Sequence, residues 1–127
     1  MIRIYGIKER LNPIKDSLSG VINKCMVDAL SFPENKCAHR FFPMDPSDFY
    51  YPEGKSSAYT VIEVSMMDGR SIEAKKKLIH LLFERVESEV GISPVDLEIT
   101  IFESPACNWG FRGVTGDEAK LNYKVNV

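Results

Sequence analysis

The chain has 127 residues, with 16 Lys and Arg against 18 Asp and Glu and a formal charge of −2. Hydrophobic residues make up 44% and charged residues 27%, which excludes a disordered or collagen-like chain and suits a single domain spanning 1–127. The near balance of charge also excludes the cationic excess that nucleic-acid binding or a polybasic membrane patch requires, so neither partner is expected.

No apolar run approaches the ~20 residues of a membrane-spanning helix. The opening Met1-Ile2-Arg3-Ile4-Tyr5 alternates in polarity, unlike a signal peptide. Three cysteines, Cys25, Cys37 and Cys107, are an odd count without paired spacing. The expected setting is therefore a reducing cytoplasm.

In chain order, Ile2 to Tyr5 alternates with period two and predicts a strand. Asn12-Pro13 supplies a helix start, Asn as cap and Pro at the first helical position. Ile14, Leu18, Val21, Ile22, Cys25, Ala29 and Leu30 then recur at three- and four-residue steps, an amphipathic helix ended by Phe32-Pro33. His39 to Phe42 predicts a second strand stopped by Pro43, and a turn-rich segment runs from Asp45 to Ser57.

The same order then repeats. Tyr59 to Met66 predicts a strand, and Asp68-Gly69-Arg70-Ser71 a turn and helix cap. A second helix carries Leu78, Ile79, Leu82, Val86 and Val90 on one stripe, closed by Gly91 as a left-handed cap. Leu97 to Glu103 predicts the fourth strand. Leu18, Ile22, Met26 and Leu30 match Leu78, Leu82, Val86 and Val90 at a constant offset of 60 positions. The offset points to an internal duplication, approximately 1–57 and 58–127.

The predicted fold is thus mixed α/β (α+β): two β-α-β units forming a four-stranded sheet with both helices on one face. The other face would hold Arg3, Tyr5, Arg40, Phe42, Val61, Glu63, Glu98, Thr100 and Phe102. Arg3 and Arg40 are expected to answer Glu63 and Glu98 on a surface packed against other subunits.

Among reactive groups, Cys37 and His39 would share a strand face, but two further ligands for a metal are lacking, so no metal is expected. Cys25 falls on the helix stripe. Cys107 lies in the loop leading to Trp109, the only cysteine placed near a candidate site. Tyr50, Tyr51 and Trp109 either line a pocket between subunits or staple loops over the core. No phosphate loop or dinucleotide fingerprint occurs, and no cofactor is expected.

A duplicated unit of this length, with a helix opened by Asp68-Gly69-Arg70-Ser71-Ile72-Glu73 and a late Asn108-Trp109-Gly110-Phe111-Arg112-Gly113 stretch, resembles the tautomerase superfamily. That superfamily has the fold of 4-oxalocrotonate tautomerase and macrophage migration inhibitory factor. The nearest resemblance is to fused-repeat bacterial members that begin Met-Ile and carry Trp-Gly-Phe-Arg-Gly. It covers essentially the whole chain.

The resemblance implies a homotrimer whose open sheet faces form a central barrel, with sites between subunits for a small enol or keto carboxylate. It implies an isomerase or lyase in which Arg70 binds the substrate carboxylate; Trp109 and Arg40 are expected beside it as further substrate-binding residues. Arg70, in a turn before a helix, is expected to carry little packing.

The pattern departs from the family at its chemical centre. Family enzymes use an N-terminal proline, whereas this chain begins Met1-Ile2. Ile2 is bulky enough to leave Met1 in place, so the Met1 α-amine is the candidate catalytic group, one residue short of the family proline. Lys36 stands where decarboxylases carry an acid, and Asp68 where some members carry a second arginine. The alternative is a non-catalytic anion-binding or structural trimer.

Overall fold

Ile2 and Ile4 alternate with Arg3 and Tyr5, and the strand so formed, β1, runs Ile2–Ile7 in the computed structural model, which describes residues 1–127. The chain turns directly into a short helix, α1 (Lys8–Leu11), then a 3₁₀ turn at Asn12–Ile14 and the long helix α2 (Lys15–Leu30). Asn12-Pro13 therefore does not open the helix as expected. Pro13 sits inside the 3₁₀ turn joining two helices, where its missing N–H and fixed φ are tolerated. Ser31 ends α2 in the left-handed conformation, its N–H bonded back to the helix.

The second strand, β2 (His39–Met44), runs through Pro43 instead of stopping there. It lies at the edge of the sheet, where a proline costs no ladder bond on its open side. Strand β3 (Thr60–Met67), helix α3 (Ile72–Val90) and strand β4 (Leu97–Ser104) follow within a residue or two of expectation. Ser71 caps α3 by accepting from the Ala74 N–H at 3.1 Å, and Gly91 closes it at φ +81°.

The sheet order is β2-β1-β3-β4. Strands β1 and β2 are parallel, as are β3 and β4, while β1 and β3 meet antiparallel at the centre. Both long helices cover one face. Leu18, Ile22, Cys25 and Leu30 of α2 and Leu78, Leu82 and Val86 of α3 are fully buried against Ile2, Ile4, Ile62 and Val64. Burial of each such aliphatic side chain contributes about 1.5–3 kcal/mol. These contacts, more than helix propensity, hold the two helices on the sheet.

The other face is open as expected, with Phe42 and Phe102 exposed and Tyr5 stacked on Phe42 at 4.8 Å. Its charge pairing differs from expectation in one half. Arg3 Nε reaches Glu63 Oε1 at 3.3 Å, but Arg40 and Glu98 stand on strands at opposite edges of the sheet and do not meet. Glu98 instead accepts from the Tyr59 hydroxyl.

A small hairpin, β5 (Gly110–Phe111) and β6 (Val114–Thr115), follows the sheet. Its two-residue turn places Arg112 at φ +52° and Gly113 at φ +79°, the primed turn geometry that matches strand twist. No helix is long and apolar enough to cross a membrane.

Candidate functional site

The antiparallel pairing of β1 and β3 decides what comes together. Because Ile2 lies opposite Val64, the start of the chain is brought to the end of β3, beside the Asp68–Ser71 turn. The Met1 α-amine donates to the Ser65 carbonyl at 3.0 Å, and the Ser65 N–H donates to the Met1 carbonyl at 2.8 Å. The parallel pairing of β1 with β2 adds Ala38 and Arg40 from the other side; the Arg40 guanidinium meets the Met1 thioether.

These elements frame a cavity of about 440 Å³. Met1, Arg40, Arg70 and Trp109 all line it, so four residues scattered over the sequence converge. Tyr50 and Tyr51 do not. Tyr50 is 90% exposed, and Tyr51 packs on Phe49 and Tyr59 away from the cavity. Cys107 is exposed and Cys25 is sealed in the core, where burial raises its thiol to about 11. His39 contacts the Ser19 hydroxyl at 2.8 Å while Cys37 lies outside the strand, and no three His, Cys, Asp or Glu side chains are grouped for a metal ion.

Arg70 is not the loosely held turn residue its position suggests. It is 7% exposed, one of three buried polar or charged residues in the chain. One guanidinium nitrogen donates to the Met67 carbonyl at 3.2 Å, while Nε has no partner. Burial lowers its pKa, partly offset by Tyr123 and Glu103. The indole Nε1 of Trp109 is likewise buried and unpartnered. Buried donors without acceptors are costly, and both of these residues line the cavity.

The charged side chains around the cavity are all of one sign. Lys36, Arg40, Arg70, Arg112 and the Met1 amine line it, and no carboxylate does. The amine is held below its ordinary value of 8.0, first by desolvation and then by the positive charges of Arg3, Arg40 and Arg70. A primary amine so placed loses its proton at lower pH than a free one, and when neutral it can accept a proton.

Trp109 is positioned by the hairpin that follows it. Its N–H bonds to the Ala106 carbonyl at 3.1 Å, and its carbonyl accepts from the Gly116 N–H at 2.8 Å. The last wall comes from the C-terminal segment, through Leu121, Asn122 and Tyr123, with Tyr123 edge-on to Phe32 at 5.1 Å. Sequence reasoning missed these three, because an irregular segment has no periodicity to place it. Lys36 occupies the cavity wall as well, adding a positive charge to it.

Residues 36–112 match the family described as tautomerase enzyme. The chain belongs to the tautomerase family. A protein of Ralstonia nicotianae named a probable tautomerase is 35% identical over 60 residues, covering 47% of this chain and 86% of that protein. The 2-hydroxymuconate tautomerase of Comamonas testosteroni is 32% identical over 56 residues, 44% of this chain and 89% of that enzyme.

Solved structures extend the likeness across most of this tautomerase-family chain. A malonate semialdehyde decarboxylase superimposes with a TM-score of 0.79 at 25% identity, covering 87% of this chain and 89% of that one. A fused 4-OT solved as an asymmetric trimer does so with a TM-score of 0.81 at 22% identity, covering 91% and 95%. The second likeness is one of fold, and both share the four-stranded sheet carrying two helices on one face.

Proposed function

We propose that this tautomerase-family chain binds a small enol or keto carboxylate in the cavity and moves a proton on it with the Met1 α-amine. The observation that carries the reading is Arg70: a guanidinium 7% exposed, with Nε unpartnered, in a cavity lined by cations and no carboxylate. Arg70 and Trp109 Nε1 hold the carboxylate, supplying charge-assisted hydrogen bonds in a desolvated site. Arg40 orients Met1 from the side.

With Met1 as the first residue of the mature chain, its neutral amine takes the proton of the enol hydroxyl or of the carbon beside the ketone. The electron pair moves along the enol system, and the ammonium returns the proton at the other end, so nothing is lost or gained overall. A primary amine does this in place of the family's secondary one.

The open face carrying Tyr5, Phe42 and Phe102 supports a homotrimer that encloses the sheets, with the cavity at a subunit boundary. The curated relatives are about half as long as this chain and match roughly half of it, which supports an origin by duplication of one β-α-β unit.

The test compares ketonisation of a 2-hydroxy-2,4-dienoate by the native chain, by a form with one residue added before Met1, and by a form beginning with Pro before Ile2. Intact mass establishes each N-terminus. The expected result is turnover by the native form and its loss on extension. Equal rates in native and extended forms overturn the role of the amine. Binding by calorimetry with turnover only in the proline form favours the second reading, an anion-binding trimer that has lost its chemistry, for which the absent proline speaks.

A further inference from the structure

The segment after Lys120 is held to the protein through side chains. From Leu121 to Asn126 apolar and polar residues alternate: Leu121, Tyr123 and Val125 are half-buried, and Asn122, Lys124 and Asn126 are exposed. That is the pattern of an extended chain laid with one side on a surface. Yet no backbone–backbone hydrogen bond ties residues 120–127 to the rest of the molecule. The Ser71 hydroxyl donates to the Val127 carbonyl at 3.1 Å, and the Arg112 guanidinium donates to the Lys120 carbonyl at 3.4 Å. Tyr123 meets Phe32 edge-on at 5.1 Å, and no ion pair involves the segment.

The segment crosses the turn that carries Arg70. Its seat there is Gly69, at φ +134°, where an added Cβ would lie 2.7 Å from Asn126 Oδ1 and 3.0 Å from Val125 Cγ1. A side chain at residue 69 and the seated segment exclude one another, so this close approach requires glycine. Asp68, Gly69 and Ile72 are exposed, whereas Arg70 among them is 7% exposed. Leu121, Asn122 and Tyr123 line the cavity together with Arg70, and Tyr123 is close enough to act on its charge.

We propose that residues 121–127 are a strap that gates the Arg70 cavity: lifted from Gly69 it admits a ligand, and seated there it closes the cavity over that ligand. This rests on the proposed reading of the cavity as the ligand site. Lifting the strap breaks no ladder bond, and segments held in this way have the lowest opening free energies in a fold. Arg40, Ser65, Met66 and Met67 stand on strands and Met26 on a long helix, so those walls stay in place while the strap moves. Closure excludes water from Arg70 and strengthens its hold on a carboxylate.

The experiment follows binding of 2-oxopentanoate to the full chain by stopped-flow fluorescence of Trp109, the chain's single tryptophan and a cavity residue. Two variants release the strap from opposite sides of one contact. Val125→Asp charges a half-buried strap residue outside the cavity lining, and Gly69→Ala fills the seat. In both, association and dissociation are expected to be faster by about fivefold or more, because a gate slows entry and exit alike. Faster dissociation with unchanged association in Val125→Asp makes the segment a fixed wall and overturns the gate, as do unchanged rates in that variant. Limited trypsin digestion of the native chain gives a second readout. Cleavage after the exposed Lys124 requires the strap to lift, and saturating 2-oxopentanoate is expected to slow it about tenfold. Equal cleavage with and without the ligand overturns the gate. Arg70→Met tests the underlying reading. If the native chain does not bind 2-oxopentanoate, or Arg70→Met binds it as tightly, the cavity is not the ligand site and the inference falls with it.

Discussion

Met1 and Ser65 are joined twice. The Met1 amine donates to the Ser65 carbonyl at 3.0 Å, and the Ser65 N–H returns a bond to the Met1 carbonyl at 2.8 Å. The double link makes the first residue an extension of the β1–β3 ladder and fixes the amine beside Arg70, so its position is set by strand register and not by a mobile terminus.

The register predicts a pH dependence. Desolvation and the neighbouring arginines hold the amine below 8.0. As a base it is active when neutral, so kcat/KM is expected to rise with pH through an inflection below 8.0. An inflection at or above 8.0 counts against the amine. The same depressed value makes the native state bind fewer protons than the unfolded chain. That contribution to stability is present above pH 8 and lost as pH falls through the folded value.

Arg70 separates binding from stability. Arg70→Met keeps the volume and removes a buried charge with a single protein acceptor. Carboxylate binding is expected to weaken by about 1.5–3 kcal/mol, while Tm stays level or rises, because replacing a poorly paired buried charge with an apolar group is often neutral or favourable. A fall in Tm with affinity intact would make Arg70 a structural residue.

Gly116 holds the Trp109 loop by close approach. A Cβ added there would collide with the Ala106 carbonyl oxygen and lie 3.0 Å from the Met67 methyl. Gly116→Ala is expected to cost roughly 1–3 kcal/mol, as overpacking does, and to disturb the indole fluorescence of Trp109. Denaturant midpoints equal to the parent's would show that the backbone yields freely.

The open face predicts assembly. Light scattering is expected to give three times the chain mass, and Phe42→Asp, placing charge beside Tyr5 on a 39% exposed aromatic, to release monomers. A native monomer at micromolar concentration would sink the trimer.

The periodicity of Leu18, Ile22 and Leu78, Leu82 determined both long helices, and the alternation of Ile2, Ile4, Ile62 and Val64 determined the strands, because burial of one face writes a period into local sequence. Local signals misplaced two prolines. At Pro13 a continuing helix pair outweighed the start signal, and at Pro43 an edge position removed the penalty that would have ended the strand. The site was legible only as separate residues. Arg70 stood out beside a helix cap, and Trp109 in a glycine-rich loop. Their convergence with Met1 came from antiparallel register between strands some sixty positions apart. The burial that leaves Arg70 Nε without a partner, and the wall completed by Leu121 and Tyr123, arise from nonlocal packing of irregular chain. No period in the sequence records such packing, so only the tertiary structure decided it.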